Sequence, residues 1–250
     1  MKYNNGIERE QEFVLSLNNK KYGELSNNLR HMIKQIFGFL NDDEIINSEL
    51  IPHYQKADFS ITVKGVSKTI SLKTGRTTVV HSEYFKTLIP FLKRMGVSEE
   101  SSNFIQFYCH RDGTIDGTGD TDISYIDMKI KYKSEIDKFN SEMIKNKILI
   151  KELIRRCLFN GTENNNVKAD YVYFGTINFG SLVSEMQIMK HIERRKWAFM
   201  DNPHIGPLQF KSHYHGKQED EHRQKQKYEC VFWWANLGPD IEYISERYDG

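Results

Sequence analysis

Two short runs, Ala57–Lys64 and Ser67–Lys73, alternate apolar and polar side chains and are rich in β-branched residues. That alternation is the period of a half-buried strand, so the stretch predicts a β-hairpin. Only Gly65 and Val66 need lie between Lys64 and Ser67, and Gly at the first central position suits a two-residue type II′ turn. The register that follows sets Lys64 against Ser67, Thr62 against Thr69, Ser60 against Ser71 and Asp58 against Lys73. These pairs share one face. Phe59, Ile61 and Val63 then share the other with Ile70, Leu72 and the stem of Lys68. One face belongs to a core. The other sets a carboxylate opposite an ammonium at its open end.

The remaining chain is long enough to bury a core in one large domain or two small ones: 250 residues, 38% hydrophobic and 28% charged. Residues 7–17 read as a short helix or lead-in. Residues 22–40 carry Leu25, Leu29, Met32, Ile33, Ile36 and Leu40 at helical spacing. Ser82 suits an N-cap for a helix to about Met95, kinked or broken at Pro90. Residues 103–110 read as a buried strand, 125–158 as largely helical, 169–177 as a strand and 181–196 as a helix. From Ala198 onward short β runs alternate with Pro and Gly. The polar loop 160–166 is the best boundary, giving regions 1–158 and 167–250. The Gly/Asp loop 111–122 lacks the carboxylate spacing of an EF-hand and reads as a solvated turn.

No apolar run is long enough to span a membrane, and the N-terminus lacks an apolar signal core. Cys109, Cys157 and Cys230 are scattered and odd in number, which suits a reducing cytoplasm better than a disulfide framework. A net charge of +1 neither advertises nor excludes nucleic acid as a partner, because the placement of charge matters more.

Asp58 opposite Lys73 admits two readings: a cross-strand ion pair, or part of a site. The surrounding face is polar throughout, with Ser60, Thr62 and Ser71. Thr74-Gly75 offers small residues where a ligand can approach the backbone. Glu83 follows beside His81. In this order of elements, Ala57-Asp58 and then Ser71-Leu72-Lys73 resemble the two halves of the PD-(D/E)xK motif of restriction-endonuclease-like nucleases. The run ISLKTG followed by His81-Ser82-Glu83 is similar to a form met among restriction-enzyme homologues. The resemblance covers about residues 22–111, and it departs from the motif in two places. Ala57 replaces a Pro without chemical duties, and Ser71 replaces a metal-binding carboxylate.

The resemblance implies an α/β (α+β) fold, with a central mixed sheet flanked by helices and a C-terminal β-rich extension. It implies a Mg²⁺-dependent DNA endonuclease of the type II restriction kind, with Mn²⁺ as a substitute. The catalytic set would be Asp58, Lys73, Glu83 and Ser71. Asp58, Glu83 and the Leu72 backbone carbonyl would hold the metal; Glu24, off the helical stripe, is either a surface residue or reaches the metal over a sheet edge. Glu83 would be an acid that has migrated from position 71 to the following helix, although it is equally a favourable charge in a helix first turn. Lys73 would orient water and stabilise charge on the phosphate.

DNA contacts would come from Arg76, His81 and the basic segment after Lys211, with Lys217, Arg223, Lys225 and Lys227. Gln224 and Gln226 carry little information alone. His213, His215 and His222 lack a completing ligand for zinc. Trp233-Trp234 reads as core rather than a stacking platform. Double-stranded DNA, a homodimer and a cognate methyltransferase in the same system are the implied partners. A non-catalytic nucleic-acid-binding or assembly protein of the same fold, and an ordinary domain with a structural Asp58–Lys73 pair, are the rival expectations.

Overall fold

The hairpin forms the middle of a six-stranded mixed sheet in the computed structural model, which describes residues 5–74, 79–163, 165–197, 200–212 and 226–248. Before it come helix α1 (Asn5–Leu17), β1 (Lys20–Lys21), a 3-10 turn at Tyr22–Glu24, α2 (Asn27–Phe37) and β2 (Ile45–Leu50). The hairpin itself is β3 (Phe59–Val63) and β4 (Val66–Lys73). Then follow β5 (Val79–Tyr84), α3 (Phe85–Arg94), α4 (Glu99–His110), α5 (Tyr125–Lys131), α6 (Lys133–Met143), α7 (Lys147–Arg155) and a π-helical turn at Arg156–Asn160. The chain closes with β6 (Tyr171–Gly175), β7 (Gly180–Ser184), α8 (Glu185–Arg194), β8 (His204–Ile205), β9 (Leu208–Ser212), β10 (Glu229–Trp234) and α9 (Leu237–Tyr248). The protein is thus mixed α/β, as expected. Among the described residues no helix is long and apolar enough to cross a membrane.

The chain divides into two units, and neither is continuous in sequence. The first comprises Met1–Thr78, Leu158–His191 and Asn236–Gly250; the second comprises Val79–Cys157 and Ile192–Ala235. This corrects the expected division into 1–158 and 167–250. The reason is a long-range pairing: β6 lies parallel to β4, with Ser71 beside Val172 and Lys73 beside Phe174. Residues 79–157 are therefore inserted between two neighbouring strands of one sheet.

In the first unit the strand order is β1-β2-β3-β4-β6-β7, antiparallel except for the β4–β6 pair. Phe59, Ile61 and Val63 are buried on alternate positions of β3, as the period required. They share a core with Ile70 and Leu72 and with Phe13 and Leu17 of α1. Phe13 stacks on Phe59 at 5.5 Å between centroids and meets Tyr173 edge-on at 5.1 Å. Ser26 caps α2 by accepting the Leu29 N–H, and Leu29, Met32 and Ile33 face the same core. α2 starts later than the stripe suggested, because Tyr22–Glu24 closes as a separate tight turn. α9 packs on β6 and β7, burying Leu237, Ile241 and Ile244. Those residues recur at helical spacing, and Pro239 sits in the first turn, where its missing N–H costs nothing. The Gly238-Pro239 pair follows the last β run, as its punctuating role implies, and opens a helix.

In the second unit the sheet order is β5-β10-β9-β8, all antiparallel. Residues 79–84 form a strand here, so the helix expected from Ser82 begins only at Phe85 and runs through Pro90. Residues 103–110, expected as a strand, lie in α4. Ser98 accepts the Ser101 N–H at 3.1 Å, and Glu99 and Glu100 occupy the first turn. That capping outweighs the β preference of Phe104, Ile105, Phe107 and Tyr108. The expected helix 125–158 is broken into α5, α6 and α7, and residues 180–184 are a strand before α8. In the 111–122 loop, Asp112 and Asp116 are turned inward on their own loop, accepting from Thr114 and Thr118. Trp234 is buried and Trp233 half-buried.

Candidate active site

The hairpin turn is Lys64-Gly65, one residue earlier than expected. Lys64 has φ 51° and Gly65 φ 77°, the positive pair of a type I′ turn. Val63 therefore faces Val66, Thr62 faces Ser67, and Ser60 faces Thr69. Moving the turn by one shifts the pairing by two, so every side chain keeps its face. Ser60, Thr62, Thr69, Ser71 and Lys73 still share the polar face. Only the partners change: the pairing ends at Phe59 opposite Ile70, and Asp58, just ahead of β3, donates its N–H to Ile70 O instead of lying opposite Lys73.

Asp58 heads β3 and is held at three atoms. Its N–H donates to Ile70 O at 2.8 Å, and its carbonyl accepts the Ile51 N–H at 3.0 Å. Its Oδ2 accepts the Leu72 N–H at 2.5 Å. Leu72 thus meets Asp58 through its N–H. Ser71 is wholly buried, and among the described residues its Oγ has no hydrogen-bond partner. Lys73 ends β4 half-buried.

The carboxylate that joins this pair comes from α1. Glu10 lies within electrostatic reach of both Asp58 and Lys73. Its side chain is 13% exposed, with Oε2 3.6 Å from His53 Nδ1 and no hydrogen-bond partner among the described residues. Burial pushes its carboxyl above the ordinary carboxylate value, and the charge of Asp58 adds to that; His53 and Lys73 pull the other way. Sequence reasoning missed Glu10, but a signal was present. Glu10, Phe13 and Leu17 stand at i, i+3 and i+7, so a carboxylate sits on the buried stripe of an amphipathic helix.

The other expected acids are engaged elsewhere. Glu83 lies in β5, not in a helix, and is almost fully buried. Its Oε1 accepts from Arg156 Nε at 2.8 Å and its Oε2 from Arg156 Nη2 at 2.7 Å. Thr87 Oγ1 donates to Oε2 as well, at 3.1 Å. Both oxygens are taken up inside the second unit, which corrects the reading of Glu83 as a migrated metal ligand. The guanidinium of Arg156 also lies over the Phe91 ring, with 4.6 Å from Cζ to the centroid. Glu24 is exposed on the 3-10 turn, where Oε2 accepts the Lys21 N–H at 3.3 Å. It serves as a local cap rather than reaching across a sheet edge.

Among the expected DNA contacts, His81 is packed within the second sheet, stacked on Phe232 and 3.8 Å from Glu83 Oε1. Lys227 Nζ lies 3.6 Å from the buried carboxylate of Asp112, which pins the 111–122 loop. Both are internal ties rather than free phosphate contacts. Arg76, Lys217, Arg223 and Lys225 fall outside the described residues, as do His213, His215, His222 and Gln224.

Glu10 and Asp58 suit a hard divalent cation. Mg²⁺ is bound through one or two carboxylates with water completing its shell. A buried carboxylate oxygen without a donor is the group that a cation satisfies. Among the described residues no group of three or more His, Cys, Asp or Glu side chains is arranged around one point, so protein ligation would rest on this pair. No family model matches the sequence, and no curated protein matches it.

Proposed function

We propose that this protein is a divalent-metal-dependent DNA endonuclease with a restriction-endonuclease-like core in its first unit. The carrying observation is the Glu10 carboxylate, within electrostatic reach of Asp58 and Lys73, whose buried Oε2, among the described residues, makes no hydrogen bond and meets only His53 at 3.6 Å. The mixed sheet flanked by helices supports the same reading.

Asp58 and Glu10 would hold Mg²⁺ or Mn²⁺, which supplies a Lewis acid and a water of lowered pKa when bound. The chain's own work is positioning and charge. Leu72 N–H keeps one Asp58 oxygen, Oδ2, fixed. Lys73 presents an ammonium to the scissile phosphate, offsetting charge that grows as the phosphorus gains its fifth oxygen. Ser71 offers a hydroxyl where a carboxylate would add a further negative charge. Its small, neutral side chain adds nothing to the burial and the Asp58 charge that already raise the Glu10 pKa. Double-stranded DNA is the substrate of this reading; a dimer and a partner methyltransferase belong to the same proposal.

Plasmid DNA incubated with the purified protein and Mg²⁺ or Mn²⁺ tests it, alongside Asp58→Ala, Lys73→Ala and Glu10→Gln. Cleavage by the wild type and loss in all three variants is expected. DNA binding without cleavage in either metal would point instead to a non-catalytic binding protein.

A further inference from the structure

The turn between β6 and β7 carries an exposed aromatic on a rigid mount. Phe179 is 77% exposed. The backbone beneath it is closed by Thr176 N–H donating to Phe179 O at 2.8 Å and Phe179 N–H to Thr176 O at 3.3 Å. Asn28 of α2 reaches across to donate to Ile177 O at 3.1 Å and to the Tyr173 hydroxyl at 2.8 Å. That hydroxyl in turn donates to Thr176 O at 2.7 Å. The turn backbone beneath a largely exposed side chain is therefore braced by polar contacts from a neighbouring helix and strand. An exposed Phe on its own needs no explanation; one whose turn is braced in this way is presented.

Register fixes where it is presented. β6 runs parallel to β4 with Phe174 beside Lys73, so the turn lies at the Lys73 end of the sheet. Asp58 heads β3 at that same end. Thr176 and Phe179 stand two residues past the Lys73 level, about 7 Å along the strand direction. Carrying the alternation of β7 back one residue puts Phe179 on the face of Ser181 and Val183. Those residues pair with Phe174 and Val172, neighbours of Lys73 and Ser71.

We propose that Phe179 is a base-stacking contact for the nucleic-acid substrate, entering the stack a few base steps from the phosphate that Lys73 and Asp58 address. The inference rests on the nuclease reading and adds a substrate contact to it. Two strand spacings of about 4.8 Å also separate β7 from β4, so Phe179 lies about 12 Å from Lys73 across the sheet, about three to four base steps at 3.4 Å each. An aromatic side chain stacks on any base, and apolar side chains can wedge between base steps and open them. Phe179 would hold the duplex in place and distort it a few base steps from the cut.

The test compares wild type, Phe179→Ala and Phe179→Trp for plasmid cleavage in Mg²⁺. Binding of short random-sequence duplexes is measured in Ca²⁺. Phe179→Ala is expected to keep its melting temperature and its response to Mg²⁺ but to lose about tenfold or more in cleavage efficiency. Phe179→Trp should retain cleavage and add, to the emission of the three native tryptophans, a component that is quenched as duplex is added and that the wild-type titration lacks. Wild-type cleavage rates in Phe179→Ala would overturn the proposal and leave the nuclease reading intact. Duplex binding without any change in the Phe179→Trp signal would do the same. If wild type neither binds nor cleaves DNA, the nuclease reading fails and this proposal falls with it.

Discussion

Asp58 Oδ2 accepts the backbone N–H of Leu72 at 2.5 Å, so one carboxylate locks the head of β3 to the tail of β4. The same group is a structural clasp and the first candidate ligand of the site. Two substitutions separate these duties. Asp58→Asn keeps an acceptor oxygen and should hold stability while abolishing Mg²⁺-dependent cleavage. Asp58→Ala should lose cleavage and also about 1–3 kcal/mol of stability in urea denaturation, the cost of stranding a donor from a charge-assisted bond.

Glu10 should weaken the metal-free protein at neutral pH. Its folded pKa is raised by burial and by Asp58. The folded state therefore binds that proton more tightly than the unfolded chain. The stability linked to it is complete below the unfolded carboxylate value and is lost as pH rises through the folded value. Glu10→Gln has no charge to bury. Melting curves in EDTA should show Glu10→Gln above wild type at pH 7 and the gap closing towards pH 4. Adding Mg²⁺ should raise the wild type and leave Glu10→Gln unmoved. A wild type insensitive to Mg²⁺ would remove Glu10 from any metal site.

Glu83 should behave as a core residue. Removing it takes from the buried Arg156 the carboxylate that accepts two of its guanidinium hydrogen bonds. Glu83→Gln is expected to cost about 3–5 kcal/mol. Pairing Glu83→Leu with Arg156→Met removes both charges and should restore most of that loss. On the nuclease reading the double variant regains cleavage. A stable but inactive double variant would return Glu83 to the chemistry.

The hairpin turn should penalise a side chain at Gly65, whose φ is 77°. Open space surrounds it, so the penalty is one of backbone conformation alone. Gly65→Ala should cost about 1 kcal/mol, read from the urea midpoint, with the slope unchanged.

Much of the hairpin was legible from the chain. Phe59, Ile61 and Val63 alternate with Ser60 and Thr62, and their burial follows the pattern. The partition into faces survived a turn placed one residue out, because a shift of two in pairing returns each side chain to the same side. The pairing itself did not survive: Gly65 serves as the second turn residue, with Lys64 taking the other positive φ. Residues 79–84 and 103–110 were misread because short apolar runs carry no decisive period. In one case strand pairing to β10 decided the outcome, and in the other a Ser98 cap did.

What the sequence determined by itself was local: two alternating strands, their apolar face, and Asp58 and Lys73 on elements joined by a tight turn. Side-chain direction in a strand depends on the residue's own backbone, so a period of two suffices to read it. Which acid joins that pair was decided only in three dimensions. Glu10 arrives because Phe13 and Leu17 seat α1 on the sheet, and Glu83 is claimed by Arg156, 73 residues away. The parallel β4–β6 pairing, which sets the Phe179 turn at the Lys73 end of the sheet, spans about a hundred residues with an inserted unit between. Charges and hydrogen bonds choose partners by distance through space, and no local period along the chain records that distance.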